Sequence, residues 1–206
     1  RVGMIQHAAA SLGANDSARR AALLDHRAQG VLQPAMESLG HHCGVAGVRS
    51  PDPRNIPETL FYMLFSLQHR GQESCGIAWE ENGEWLARKD LGMVAPVLGS
   101  CLGEPHASRL GIGHVRYSTA GGGGIQNAQP LVVDCNKGKV ALAHNGNISN
   151  GGSLRRDLTA GGSIFQGSAD SELILHLISR SISPTREGFL REALAPLEGA
   201  YSLVLM

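Results

Sequence analysis

The dipeptide Asn82-Gly83 stands between two short runs of strand-forming character, Gly76 to Glu80 and Glu84 to Lys89. Asn-Gly tolerates the positive φ angles that a two-residue hairpin needs at both central positions, and few other pairs do. The chain must therefore reverse here and pair antiparallel. Further strand-like runs occur at Cys43 to Val48, Leu110 to Tyr117, Pro130 to Asp134 and Lys139 to His144, with one more starting near Ala200. Amphipathic spacing predicts helices over Pro57 to His69, where Leu60, Leu64 and Leu67 share a face, and at about 153 to 160, 171 to 182 and 186 to 195. Pro57 suits the first turn of its helix. Strands in hairpin groups, with helices between the groups, predict an α+β fold in which antiparallel sheets are covered by helices.

At 206 residues, 42% hydrophobic and 17% charged, the chain has the makings of one globular domain with a sizeable core. Lysine plus arginine number 18 and aspartate plus glutamate number 18, so no net basic field draws a nucleic acid or an anionic membrane surface. The balance favours a small-molecule substrate. The longest apolar run, around Leu60 to Leu67, is broken by Ser66 and is far shorter than the roughly 18 residues a spanning helix needs. Four cysteines, at 43, 75, 101 and 135, lack any Cys-x-x-Cys pairing, so neither a zinc site nor a disulfide framework is indicated. Without an export signal, free thiols in a reducing, cytoplasmic compartment are expected.

Residues 1–42 are rich in Ala and Arg, show no strand-like run, and read as a leader. Met36, seven residues before Cys43, would make 1–35 an upstream extension. Organelle targeting by that stretch is the alternative: Arg19, Arg20 and Arg27 among Ala and Ser suggest it, and Asp16 and Asp25 oppose it. At the other end Tyr201 to Met206 stops in mid-strand pattern, and the expectation is a C-terminally incomplete piece of a longer protein.

Six dispersed segments carry the functional reading. They are Cys43-Gly44-Val45-Ala46-Gly47-Val48, Gln68-His69-Arg70-Gly71-Gln72-Glu73-Ser74, Gly113-His114-Val115-Arg116-Tyr117-Ser118-Thr119, Asn127-Ala128-Gln129-Pro130, Ala143-His144-Asn145-Gly146-Asn147 and Ser168-Ala169-Asp170-Ser171-Glu172. In order and spacing, over 43–206, they resemble class II glutamine amidotransferases. The Gln-His-Arg-Gly-Gln and His-Asn-Gly-Asn forms look like the amidophosphoribosyltransferase branch, whereas the hexosamine-forming relatives usually read Tyr-Arg-Gly-Tyr and Arg-Trp. The resemblance implies a four-layer αββα N-terminal nucleophile hydrolase fold whose mature chain begins at the nucleophile, here Cys43. It makes 1–42 a propeptide and 43–206 the amidotransferase domain, with a phosphoribosyltransferase domain beyond residue 206.

The chemistry fits those residue types. A free thiol titrates near 8.5 and an α-amino group near 7.7 to 8.0, so an N-terminal cysteine carries its own general base; the amide of an uncut His42-Cys43 bond cannot serve. Arg116 matches the family arginine that grips the glutamine carboxylate, a pairing a guanidinium makes through two parallel hydrogen bonds. Asp170 matches the aspartate that receives the substrate ammonium, and it is also placed to cap the helix expected from residue 171. Tyr117 and Thr119 would shape the pocket. Asn145 and Gly146 would form the oxyanion hole, though Asn-Gly standing alone also reads as a plain turn. Arg70 resembles an arginine near the nucleophile, able to stabilise a thiolate or help close a loop.

His69, His114 and His144 show no metal spacing and read as structural or as supports behind the reacting residues, and Gly121 to Gly124 lacks the lysine of a phosphate loop and reads as a flexible turn. Cys75 stands where a small residue is expected and, being close in sequence to Arg70, suggests an oxidation or off-pathway disulfide site. The resemblance further implies glutamine and phosphoribosylpyrophosphate as substrates. For the full-length chain it also implies magnesium, a homotetramer and, in the branch sharing Gly162-Ser163-Ile164-Phe165-Gln166, a 4Fe-4S cluster in some members. Two alternatives stand beside it: another class II enzyme such as glutamine–fructose-6-phosphate aminotransferase, and a non-catalytic glutamine-binding domain.

Overall fold

The computed structural model describes residues 3–8, 43–117 and 124–206, with the main chain alone described for 3–8. Its strands are β1 (Gly3–Ala8), β2 (Gly44–Arg54), β3 (Ser74–Glu81), β4 (Glu84–Leu91), β5 (Ser108–Arg116), β6 (Leu131–Cys135), β7 (Gly138–Ile148) and β8 (Gly199–Leu205). Its helices are α1 (Ile56–Ser66), α2 (Val94–Leu98), α3 (Gly151–Ala160), α4 (Asp170–Arg180) and α5 (Arg186–Leu194), and short 3₁₀ turns form at Gln68–Arg70, Gly99–Cys101 and Ile125–Asn127.

Every strand pairing among the described residues is antiparallel. One sheet has the order β2-β5-β3-β4 and the other β1-β8-β7-β6. The hairpin at Asn82-Gly83 forms as expected, with φ of 54° and 83° at the two turn residues and Glu81 opposite Glu84. Helix α1 also starts as the sequence dictates. Asn55 caps it by accepting the Glu58 N–H at 3.3 Å, its amide reaches back to the Glu58 carboxylate, and Pro57 sits in the first turn.

Three apolar layers stack these elements. Ile56, Leu60 and Leu64 of α1 bury against Ile77, Trp79 and Val115 of the first sheet, with Val94 and Leu98 of α2 beside them. Leu173, Ile174 and Ile178 of α4 bury against Leu142, Leu203 and Leu205 of the second. Between the sheets lies a thin layer of Ala78, Ile112, Ala141, Ala143 and Val204. The order helix, sheet, sheet, helix is the four-layer N-terminal nucleophile hydrolase arrangement. Burying apolar surface on both faces of each sheet explains why β3, β5 and β7 contain near-continuous buried runs instead of clean alternation.

Four features differ from the sequence reading. Gly3–Ala8, within a stretch expected to hold no strand, pairs with β8 from Gly3↔Leu205 to Ala8↔Ala200, supplying main-chain partners along an edge that would otherwise lack them. The rest of the expected leader, including Met36 and His42, lies outside the described residues. β7 runs on through Asn145 and Gly146 to Ile148, so His144-Asn145-Gly146-Asn147 is strand and not turn: Asn145 pairs with Ser202 and Gly146 with Tyr201. Cross-strand pairing to β8 overrides the local turn preference. β2 extends past Val48 to Arg54, with a register irregularity between Arg49 and Arg54. Finally, α2 is a five-residue helix too short for periodicity to reveal. No helix among the described residues is long and apolar enough to cross a membrane.

Candidate active site

Register places the candidate residues. Gly44 pairs with Val115 on β5 and Ser74 of β3 pairs with Arg116, so the start of β2 and the end of β5 meet beside β3. Cys43 immediately precedes β2. It is half-buried, and its Sγ points at the Tyr117 carbonyl, 3.9 Å away. Arg70, closing its 3₁₀ turn, donates from Nε to the Cys43 carbonyl at 3.2 Å, which puts a guanidinium against the main chain of Cys43. Gly71 lets that turn approach: a Cβ there would lie 2.5 to 2.8 Å from the Arg116 main chain. The Glu73 N–H bonds the Arg116 carbonyl at 3.0 Å, locking the turn onto β5.

The Arg116 guanidinium is fixed from beneath. Its Nη1 lies 2.6 Å from Glu73 Oε1, and the two side chains are only 12% and 17% exposed. Charge-assisted hydrogen bonding of this kind, in a site of reduced dielectric, holds the fork in one orientation. Glu73 lies inside one of the six segments without a role that its residue type announces: a carboxylate two residues beyond Gly71 carries no periodic or motif signal of its own. Tyr117 is exposed to 38% at the site's rim. Thr119 and Gly121 to Gly123 lie outside the described residues.

The second sheet contributes the other candidates. Asn145 is half-buried, and its side-chain amide makes no hydrogen bond to any described residue. Gly146 adopts φ 137°, a region glycine alone enters freely, and a Cβ there would collide with the Ala200 carbonyl and the Tyr201 main chain. Asp170 does not cap α4. It is the helix's first residue, Ala169 holds the cap position, and no side chain caps there; instead Asp170 Oδ2 accepts the Ile148 N–H at 3.2 Å. The carboxylate is thereby tied to the end of the strand that carries Asn145 and Gly146.

A buried contact joins the two halves. His114 Nε2 lies 3.0 Å from the His144 carbonyl, bridging β5 of one sheet to β7 of the other. Burial pushes the His114 imidazole down to about 3 and that of His144 down to about 4, so both are neutral at physiological pH. Cys75, expected as an oxidation site, is completely buried on β3, and burial pushes its thiol up to about 12. It is neither accessible nor ionised, which removes both requirements for easy oxidation. A separate cleft of about 530 Å³, lined by Leu131, Val133, Ile125, Ile164, Glu172 and His176 among others, contains none of the candidate residues.

Comparison with known proteins agrees with this architecture. The glutamine amidotransferase domain family matches residues 114–206. An amidophosphoribosyltransferase of Methanocaldococcus jannaschii is 41% identical over 166 residues, covering 80% of this chain and 35% of that protein. One of Bacillus subtilis is 41% identical over 172 residues, covering 83% and 36%. The solved structure described as the allosteric regulatory enzyme of purine biosynthesis superposes with a TM-score of 0.72 at 41% identity, over 79% of this chain and 35% of that one. The glutamine phosphoribosylpyrophosphate amidotransferase of B. subtilis, complexed with ADP and GMP, gives 0.70 at 39% identity, over 79% and 34%.

The chain belongs to the glutamine amidotransferases. Within that class its likeness is to the amidophosphoribosyltransferases, of whose length it spans about a third.

Proposed function

We propose that the domain hydrolyses glutamine to glutamate and ammonia through a Cys43 thioester, once the His42-Cys43 bond is cut. The observation that carries this reading is a convergence. The Cys43 thiol, the clamped Arg116 guanidinium and the Arg70 turn share one end of the first sheet. The His114–His144 contact ties that sheet to the Asn145-Gly146 stretch of the second.

Arg116 binds the substrate carboxylate, with Asp170 taking the ammonium and Tyr117 and Thr119 bounding the pocket. The freed Cys43 amine removes the thiol proton, and the thiolate attacks the side-chain amide carbon. Negative charge then develops on oxygen, where the Asn145 amide and the Gly146 N–H donate; losing one such donor typically costs about 100- to 1000-fold in rate. The same amine returns its proton to the departing ammonia, leaving the thioester. Water then hydrolyses the thioester, releasing glutamate and restoring the thiol. Arg70 steadies the main chain and charge at Cys43.

The likeness to amidophosphoribosyltransferases supports a fuller role. The ammonia would pass to phosphoribosylpyrophosphate, displacing pyrophosphate to give 5-phosphoribosylamine for purine synthesis, in a cytoplasmic homotetramer whose acceptor site lies outside these residues. Magnesium, and the 4Fe-4S cluster that only some members of the branch carry, would be held by that remainder. Among the described residues no group of three or more His, Cys, Asp or Glu side chains converges to hold a metal ion, and no step above is routed through one.

The test is intact mass and N-terminal sequencing of the full natural chain, followed by reaction with a glutamine-analogue electrophile. A mature chain starting at Cys43 and carrying one label there is expected. A persistent leader with glutamine bound but not hydrolysed would instead make the domain a glutamine sensor.

A further inference from the structure

His144 immediately precedes Asn145 on β7 and pairs with Leu203 of β8. On its opposite side the sheet has run out, because β6 pairing begins at Leu131↔Leu142. A main-chain N–H and carbonyl left there without strand partners, inside the molecule, must be satisfied by other means. Two buried side chains do so. Gln129, 4% exposed, occupies the place the β6 register would reach opposite His144, and its Oε1 accepts the His144 N–H at 2.7 Å. From the other sheet His114, fully buried, reaches the His144 carbonyl at 3.0 Å. A carbonyl can only accept, so Nε2 of His114 carries the proton and donates.

Both supports are themselves anchored. Lys89 Nζ donates to the carbonyls of Ala128 at 2.7 Å and Pro130 at 3.3 Å, gripping the main chain on either side of Gln129. His114 pairs with Val45 of β2 and Gly76 of β3 in the middle of its sheet, two residues from Arg116. The residue that sets the direction of Asn145 is therefore pinned at both main-chain polar groups, once by a loop held from β4 and once by the strand that runs on to Arg116.

We propose that Gln129 and His114 are positioning residues of the oxyanion hole, holding the His144 peptide groups so that the Asn145 amide and the Gly146 N–H face the carbon attacked by Cys43. The proposal rests on the reading of Asn145 and Gly146 as oxyanion donors. It assigns to two residues outside the reacting groups an effect on turnover and not on substrate affinity, because both are buried and the glutamine carboxylate and ammonium are assigned to Arg116 and Asp170.

The experiment measures glutamine hydrolysis by the full-length, processed chain, with kcat normalised to the Cys43 sites titrated by a glutamine-analogue electrophile. His114→Leu removes the donor and Gln129→Met the acceptor at similar volume. Each is expected to lower kcat by about 10- to 100-fold, the scale for a catalytic group displaced by about an ångström, with KM for glutamine nearly unchanged. His114→Gln, whose side-chain amide reaches equally far and donates, is expected to regain most of that loss, which a packing defect would not allow. The double variant should lose much less than the product of the single losses, since both act through one residue.

Asn145→Ala is the control. If it loses about 100-fold or more while His114→Leu and Gln129→Met keep their kcat, the positioning role is overturned and the oxyanion reading stands. If Asn145→Ala keeps its kcat, the oxyanion reading falls and the proposal with it. Losses confined to KM or to the unfolding temperature also overturn the proposal. Should His114→Leu not fold, Gln129→Met and His114→Gln decide the matter.

Discussion

Acidification should destabilise this domain well above the range in which its carboxylates protonate. Two imidazoles, those of His114 and His144, are buried to 0% and 5% exposure, and burial disfavours their charged forms. Their surroundings partly offset one another. His114 faces Arg116 and His144, which oppose its charging, and the His144 carbonyl, which favours it; His144 faces the Asp170 carboxylate, which favours its charging. Burial dominates both, leaving them near 3 and 4.

In the unfolded chain each titrates near 6.5. As pH falls below that value the unfolded state takes up protons that the folded state refuses, so stability is complete above about pH 6.5 and drains away towards the folded values. One pH unit in that window costs about 1.4 kcal/mol per histidine, so lowering pH from about 6.5 to 5 costs about 2 kcal/mol each, or about 4 together. That is a large share of the roughly 5–15 kcal/mol that holds a typical domain together. Glu81 stays out of this window, because the Ala107 N–H and His106 hold its carboxyl below the usual range.

The assay is urea unfolding of the full-length chain at about pH 7.5 and about pH 5, for the natural protein and for His114→Gln. The variant should lose roughly half the pH dependence. A midpoint unchanged between the two pH values, or an identical slope in the variant, would refute the assignment to these histidines.

Three further outcomes are expected. Native-state alkylation with a neutral reagent, read by peptide mass mapping, should modify Cys43 and spare Cys75 and Cys101, which are fully buried and whose thiols burial pushes up. Gly146→Ala forces a side chain into positive φ and into the Ala200 carbonyl, so glutaminase activity should fall at least about 100-fold and stability by about 1–3 kcal/mol, measured by steady-state kinetics and thermal unfolding. Glu73→Ala removes the ion pair that orients Arg116; the KM for glutamine should rise about tenfold and stability fall by about 1.5–3 kcal/mol, with kcat less affected.

What the sequence revealed follows a physical divide. Signals that act over a few residues were legible: the Asn82-Gly83 hairpin, the Pro57 helix start, and the leucine face of α1 all arise from local backbone preference and periodicity. Features settled by distant partners were not. Asn145-Gly146 has the same local chemistry as Asn82-Gly83, yet pairing with Ser202 and Tyr201 makes it strand. Asp170 looked like a cap, but its carboxylate is claimed by the Ile148 N–H from 22 positions away. The sequence segments pointed to the candidate residues and the geometry gathers Cys43, Arg70 and Arg116 at one sheet end. Glu73, which clamps Arg116, and Gln129, which accepts the His144 N–H, lay in plain view but bear no residue-type signature of support; only their contacts reveal it.

The layer between the sheets is built largely of alanine: Ala78 from one side, Ala141 and Ala143 from the other. Cys43 and Arg116 belong to one face of that seam, Asn145 and Gly146 to the other. Under the proposed mechanism, the gap between the Cys43 sulfur and the Asn145 and Gly146 donors is gauged by these small side chains together with Ile112 and Val204, far from any reacting atom. A larger residue at one of those alanines would act like a shim under a hinge, leaving each sheet intact while opening the jaw between them.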